Sequence, residues 1–129
     1  MTRKRLTACC GCVVLTVVLV SVWARVSAQT GDQDVLKVIP ENYQLLIDNP
    51  FVRVLEARIP AGTEEKPHRH LKGVSVCLTE YTLESRTLPD GPWVRNERKV
   101  GTTYWSDASL HQVRNVGKTQ SHTIRIELK

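Results

Sequence analysis

The spacing of short apolar runs between turn-forming residues most constrains the fold of this chain. From Tyr43 onward the runs recur about every 8 to 12 residues, and no stretch has a convincing helical repeat. The segments between them contain Pro, Gly, Asn or Asp, as in residues 89–92 (Pro-Asp-Gly-Pro), and these residue types adopt turn dihedrals at low cost. The pattern predicts an all-β domain.

The pattern predicts nine strands, which are too many for one open sheet in residues 43–129, because its apolar face would have no cover. Two packed sheets or a small barrel are therefore expected. The predicted strands are Gln44–Ile47, Val52–Ile59, His68–His70, Val74–Thr79, Thr82–Arg86, Val94–Lys99, Gly101–Trp105, His111–Asn115 and His122–Leu128.

The last of these strands alternates between apolar and polar residues, which predicts one dry face and one wet face. We expect the dry face to point into the core and the wet face to point to solvent. The dry set is His122, Ile124, Ile126 and Leu128, and the wet set is Thr123, Arg125 and Glu127.

The first 28 residues have the pattern of a cleavable secretory signal peptide. A basic start, with Arg3, Lys4 and Arg5, precedes an uncharged apolar run over residues 6–24, and the segment ends on the small residue Ala28. The alternative is an uncleaved anchor, which would be the chain's only contact with a membrane. The sequence thus predicts a secreted or periplasmic protein, with residues 29–42 as a linker that could add one edge strand before a domain at 43–129.

Removal of this leader changes both the charge and the cysteine content of the chain. It leaves 14 of the 18 basic residues against 13 acidic ones, and the remaining basic residues are scattered among acidic ones. Nothing indicates a nucleic-acid partner. Cys77 is the one cysteine left, so no internal disulfide can form, and the thiol is either a small core residue or a site-lining one.

Histidine clustering is the strongest indication of chemistry. His68 and His70 are two apart on a predicted strand, so both side chains point to the same face and can converge on one ion. His111, on another strand, would complete a facial set with open positions for water or substrate. The alternative is that these are ordinary polar residues in a loop after Pro67.

Two stretches resemble the motifs of the cupin superfamily. Gly62 followed after five residues by His68-x-His70 is similar to the first motif, and Gly101-x9-His111-x3-Asn115 is similar to the second, one residue shorter than usual between Gly and His. The resemblance covers residues 43–129. It implies a double-stranded β-helix, a cupin-type jelly-roll barrel, in which His68, His70 and His111 bind a divalent metal ion: Fe, Mn, Ni, Cu or Zn.

The chain departs from the family pattern at one important position. A Glu is expected with three or four residues between it and the second His, where this chain has Val74 and Ser75. An ion held by three neutral imidazoles keeps its full positive charge and should attract a small anionic molecule. The resemblance then implies dioxygenase-like or isomerase-like chemistry, whereas the alternative is a non-catalytic, metal-free cupin that binds a ligand or serves as a scaffold.

Five further residues are candidates for substrate binding near the barrel mouth, each with a structural alternative. They are Ser75, Cys77, Tyr104, Trp105 and Arg53. The two aromatic residues could stack on a ligand or pack in the core, and Arg53 could pair with an acidic substrate or lie at an exposed edge. A domain of this size buries a modest share of its surface, so a homodimer is a further expectation.

Overall fold

The computed structural model describes residues 33–129, and the predicted signal peptide lies outside these residues. All nine predicted strands are present, with ends that differ from the prediction by no more than two residues. Their bounds are β1 Tyr43–Asp48, β2 Val52–Ile59, β3 His68–His70, β4 Gly73–Cys77, β5 Tyr81–Thr87, β6 Val94–Arg98, β7 Thr103–Ser106, β8 Ser109–Asn115 and β9 Ser121–Leu128.

The strands form two antiparallel sheets, as the sequence predicts. One sheet has five strands in the order β1-β2-β9-β4-β7, and the other has four in the order β3-β8-β5-β6. Strands distant in sequence are neighbours in both sheets, so strand pairing brings together the segments that carry the histidines. The all-β, double-stranded β-helix prediction is confirmed.

Residues 33–42 differ from the expected linker or edge strand. Val35–Val38 form a single helical turn, α1, and the backbone N–H of Leu36 donates to the side chain of Asp34 at its start. Val35 and Ile39 are buried in one cluster with Leu55 of β2, so this segment belongs to the domain core. Among residues 33–129 no helix has the length and apolar character needed to cross a membrane.

The predicted orientation of the last strand is wrong. In β9 the residues buried towards the barrel interior are Ser121, Thr123, Arg125 and Glu127, whereas Ile124 and Ile126 lie on the outer face. The polar residues can be buried because Arg125 and Glu127 pair with each other inside the barrel. Ile126 is only partly exposed because its in-register neighbours on both sides, Val54 and Val74, are also apolar.

The two glycines that open the sequence motifs have a backbone reason to be glycine. Gly62 has φ of 78° and Gly101 has φ of 82°, both in the left-handed region that other residues rarely adopt. Gly62 lies in the turn after β2, and Gly101 lies in the turn that leads to β7. The turn at Gly62 precedes β3, which carries His68 and His70, and the turn at Gly101 precedes β7, which is followed along the chain by β8 with His111.

Candidate metal centre

Strand pairing brings the three histidines together. β3 and β8 are antiparallel, and His68 lies directly opposite His111 in the ladder. His70 is two residues further along β3 and therefore points to the same interior face. Each residue offers one ring nitrogen to a cluster in which these atoms all lie within 4.8 Å of one another. His68 and His70 are buried and His111 is partly buried.

Hydrogen bonds on the far side of two rings fix which nitrogen faces the cluster. The Nδ1 of His68 donates to the carbonyl oxygen of Lys66 at 2.8 Å, and the Nδ1 of His70 donates to Oε1 of Glu127 at 2.5 Å. Both partners can only accept, so the Nε2 atoms of His68 and His70 carry the lone pairs. These are the atoms that a metal ion would bind.

The distance between two of the rings also suits a shared ion. The Nε2 atoms of His68 and His111 are 2.9 Å apart. Two nitrogens that each bind one ion at about 2.1 Å lie no more than about 4.2 Å apart, so this separation is within reach of a shared ion. Without an ion, His111 must donate its proton to His68; with one, that proton would move to its Nδ1, which faces the Ser109 hydroxyl at 3.5 Å.

Burial keeps the imidazoles neutral. It lowers the pKa of His68 to about 4, and the neighbouring His70 adds to the effect. Burial, with His70 and His68 nearby, lowers the pKa of His111 further. For His70 burial lowers the pKa even though Glu127 opposes it. Because metal ions bind the neutral form of imidazole, the cluster is ready for an ion at neutral pH.

A chain of ion pairs begins at Nδ1 of His70, on the side of the ring away from the cluster. Glu127 is fully buried, accepts a hydrogen bond from His70 and pairs with Nε of Arg53. Nη1 of Arg53 in turn pairs with Oδ2 of Asp34 at 2.7 Å. Burial of Glu127 acts in the opposite direction, but the hydrogen bonds from His70 and Arg53 hold the pKa of its carboxyl below its ordinary value. A charged carboxylate behind a histidine fixes its tautomer and raises its basicity towards a metal.

A second buried carboxylate lies beside the cluster. Oε2 of Glu65 is 3.8 Å from Nε2 of His68, and the carboxylate accepts from Nδ2 of Asn42 and from the hydroxyl of Tyr43. Burial is the main cause that raises the pKa of Glu65 to about 7. Near neutral pH this group can therefore hold or release a proton next to the histidines.

The motif pattern places a carboxylate only after the second His, so it does not point to Glu65 or Glu127. At the motif position Val74 points outward opposite Trp105, and Ser75 points inward, where its hydroxyl accepts from Arg125. Glu65 lies three residues before His68, so its closeness to the cluster had a weak sequence signal. Glu127 has no such sequence signal, because the alternation in β9 predicts that its side chain faces solvent.

A cavity of about 280 Å³ lies between the sheets and is lined in part by His70 and His111. Of the five residues proposed for substrate binding, three line it: Ser75, Tyr104 and Trp105. The Trp105 side chain lies on the outer face of β7, is half exposed and donates to Asp107.

The other two proposed residues are not among the lining residues. Cys77 is buried, and its sulfur lies 3.1 Å from the hydroxyl of Tyr81. Arg53 points inward, but its guanidinium pairs with Glu127 and Asp34. Arg98 of β6 does line the cavity, and sequence reasoning did not identify it.

The residues present fit a divalent metal ion. Three neutral imidazoles converge, two of them are held in the tautomer that exposes Nε2, and one has a carboxylate behind it. Neutral imidazole suits Fe, Ni, Cu and Zn, and the cavity leaves room for a ligand on the open side. His122, the fourth histidine of the chain, lies apart on the outer face, where Nε2 bonds to Glu56 at 2.6 Å.

Comparison with solved structures gives clear similarities. A cupin domain from Bordetella pertussis Tohama I is 34% identical, with a TM-score of 0.61 over 67% of this chain and 91% of that one. An RmlC-like cupin with a double-stranded β-helix fold from Methanocaldococcus jannaschii, at 9% identity and a TM-score of 0.53, matches 67% of this chain and 77% of that one in fold alone. No family model and no curated protein matches the chain.

Proposed function

Because this chain belongs to the cupin superfamily, we propose that it binds a divalent metal ion through His68, His70 and His111 and uses it on a small anionic molecule. The observation that carries the proposal is the convergence of the three ring nitrogens, above all the 2.9 Å between the Nε2 atoms of His68 and His111. Two lone pairs aimed at one another are repulsive unless a proton or a cation lies between them.

The charge of the site favours an anionic ligand. The three histidines are neutral, and the carboxylate of Glu127 is balanced by Arg53 and Arg125. A bound ion would therefore keep most of its positive charge towards the cavity and would supply Lewis-acid activation of a ligand oxygen there. Glu65 is the one carboxylate near the cluster that does not pair with an arginine among the described residues, and near neutral pH it can accept a proton from a ligand.

Metal content tests the proposal directly. The purified protein, prepared without added metal and then titrated with Zn²⁺, should bind one equivalent. His68→Ala and His111→Ala should each abolish that binding. His122→Ala is the matched control, because it removes a histidine from the outer face and should leave the stoichiometry unchanged. A wild-type protein that binds no stoichiometric metal would support the metal-free binding module instead.

We also propose that the protein is exported, on the basis of the sequence of residues 1–28. The mature chain would then begin at Gln29, four residues before the described part. Mass spectrometry of the protein recovered from the periplasm of a bacterial host should give a chain that starts there. A full-length chain that stays with the membrane fraction would contradict cleavage and support the uncleaved anchor, whereas a full-length chain in the cytoplasm would contradict export.

A further inference from the structure

The cavity wall is positively charged without a bound ion. It is lined by two guanidinium groups, Arg98 and Arg125, and no Asp or Glu is among its lining residues in the described part of the chain. The remaining polar lining consists of hydroxyl, amide and imidazole groups. Positive charge that no carboxylate balances concentrates anions in a low-dielectric cavity, so the pairing of each arginine decides its effect.

The two arginines are in different situations. The guanidinium of Arg125 is occupied: it donates to the hydroxyls of Ser75 and Ser106 and to the carbonyl of Leu71, and it pairs with Glu127. The Arg125 guanidinium thus connects β4, β7 and β9, and it has few N–H groups left to donate to a ligand.

Arg98 has capacity for a ligand. Its guanidinium stacks on the ring of Tyr104, 4.6 Å from the ring centre, and its hydrogen bond to Oδ1 of Asn96 is long, at 3.5 Å. Within residues 33–129 it forms no ion pair with a carboxylate. Stacking restricts the guanidinium plane, and apart from the long bond to Asn96 its N–H groups have no acceptor among the described residues, so they can form a bidentate pair with a carboxylate.

The size of the cavity limits the ligand. A cavity of about 280 Å³ has room for a small organic acid. The same cavity touches His70 and His111, so a ligand that fills it contacts both the histidine cluster and Arg98.

We propose that the cavity binds a small dicarboxylate, with one carboxylate paired to Arg98 and the other directed to the histidine cluster. The direction of the second carboxylate rests on the proposed metal site. A dicarboxylate is favoured over a monocarboxylate because a bound ion at the histidine cluster would add a second positive site to the one that the stacked Arg98 provides. Phosphate is less suited, since among residues 33–129 no helix N-terminus borders the cavity and only one of its two guanidinium groups is available.

Succinate is the probe, and its binding to the zinc-loaded protein is measured by isothermal titration calorimetry. Arg98→Gln should weaken succinate binding by about 10- to 100-fold, the loss expected for a charge-assisted bidentate pair. Arg98→Lys should give a smaller loss, because it keeps the charge without the planar fork. Butyrate, which has the same carbon chain and one carboxylate, should bind wild type more weakly than succinate does.

Arg95→Gln is the matched control. Arg95 lies on the same strand, but its side chain is more than half exposed and pairs with Glu97, so succinate affinity should stay within about twofold of wild type. Zinc stoichiometry, measured on every variant, should not change. Equal succinate affinity in wild type and Arg98→Gln, or no succinate binding to wild type, would overturn the dicarboxylate proposal and leave the metal site standing. If wild type binds no zinc, the metal proposal fails and the preference for a second carboxylate fails with it. The comparison of wild type with Arg98→Gln on metal-free protein then still tests the pairing of Arg98 with a carboxylate.

Discussion

Replacing Glu127 by Gln should weaken metal binding, although Glu127 is not one of the three proposed ligands. The carboxylate accepts from Nδ1 of His70 at 2.5 Å and is fully buried. Its negative charge strengthens the electron donation of the ring, and its position holds the ring so that Nε2 faces the cluster. Gln keeps the shape and one acceptor oxygen but removes the charge.

The expected loss of Zn²⁺ affinity is about tenfold, or about 1.4 kcal/mol. Losses of about 10- to 100-fold follow when such a supporting group is removed, and the lower end applies because the amide oxygen of Gln can still accept from His70. Stability should fall independently of metal. Glu127 also pairs with Arg53 and Arg125, and breaking a buried ion pair on one side destabilises a protein by about 3 to 5 kcal/mol.

The assay is a competitive zinc titration at pH 7.5, with circular dichroism to confirm that each variant is folded. Glu84→Gln is the control, because Glu84 pairs with Arg114 on the outer side of the other sheet, so zinc affinity should stay within about twofold of wild type. Asp34→Asn is the second variant if Glu127→Gln does not fold. This change removes the charge that pairs with Arg53, so Arg53 would hold the Glu127 carboxylate less firmly. The Zn²⁺ affinity should fall by about two- to threefold. A folded Glu127→Gln that binds zinc as wild type does would refute this reasoning.

Two more predictions concern stability. In the presence of a chelator, the free energy of unfolding should fall by about 1 kcal/mol between pH 6.5 and pH 8, because the pKa of Glu65 is about 7 in the fold against an ordinary 4.5, so the folded state holds a proton that it loses as the pH rises. Urea titrations should detect this slope in wild type and not in Glu65→Gln, and a slope in both would contradict the assignment. Gly73→Ala should destabilise by about 4 kcal/mol or more, because its new Cβ would lie 2.0 Å from the carbonyl oxygen of Ile126, whereas Gly62→Ala meets no atom within 4 Å and should cost about 1 kcal/mol for its positive φ. Equal Tm values for the two alanine variants would show that the clash is relieved.

The strand pattern could be predicted from the sequence because it depends on local chemistry. Turn residues and apolar alternation act over a few residues, so the nine strands and their approximate ends follow from them. The convergence of His68 and His70 is also local, since residues two apart on a strand point the same way. The position of His111 beside them came from the motif resemblance, and it is the strand pairing of β3 with β8 that places it there.

Only the tertiary structure decides which face of β9 is buried and which residues Glu127 pairs with. The alternation in β9 shows that its two faces differ, but not that the polar face is the inner one. That depends on the pairing of Arg53 on β2 with Glu127 on β9, and of Glu127 with Arg125 on the same strand. The same long-range pairing places a carboxylate behind His70. Local sequence determines which residues share a face, and the packing of distant segments determines what that face meets.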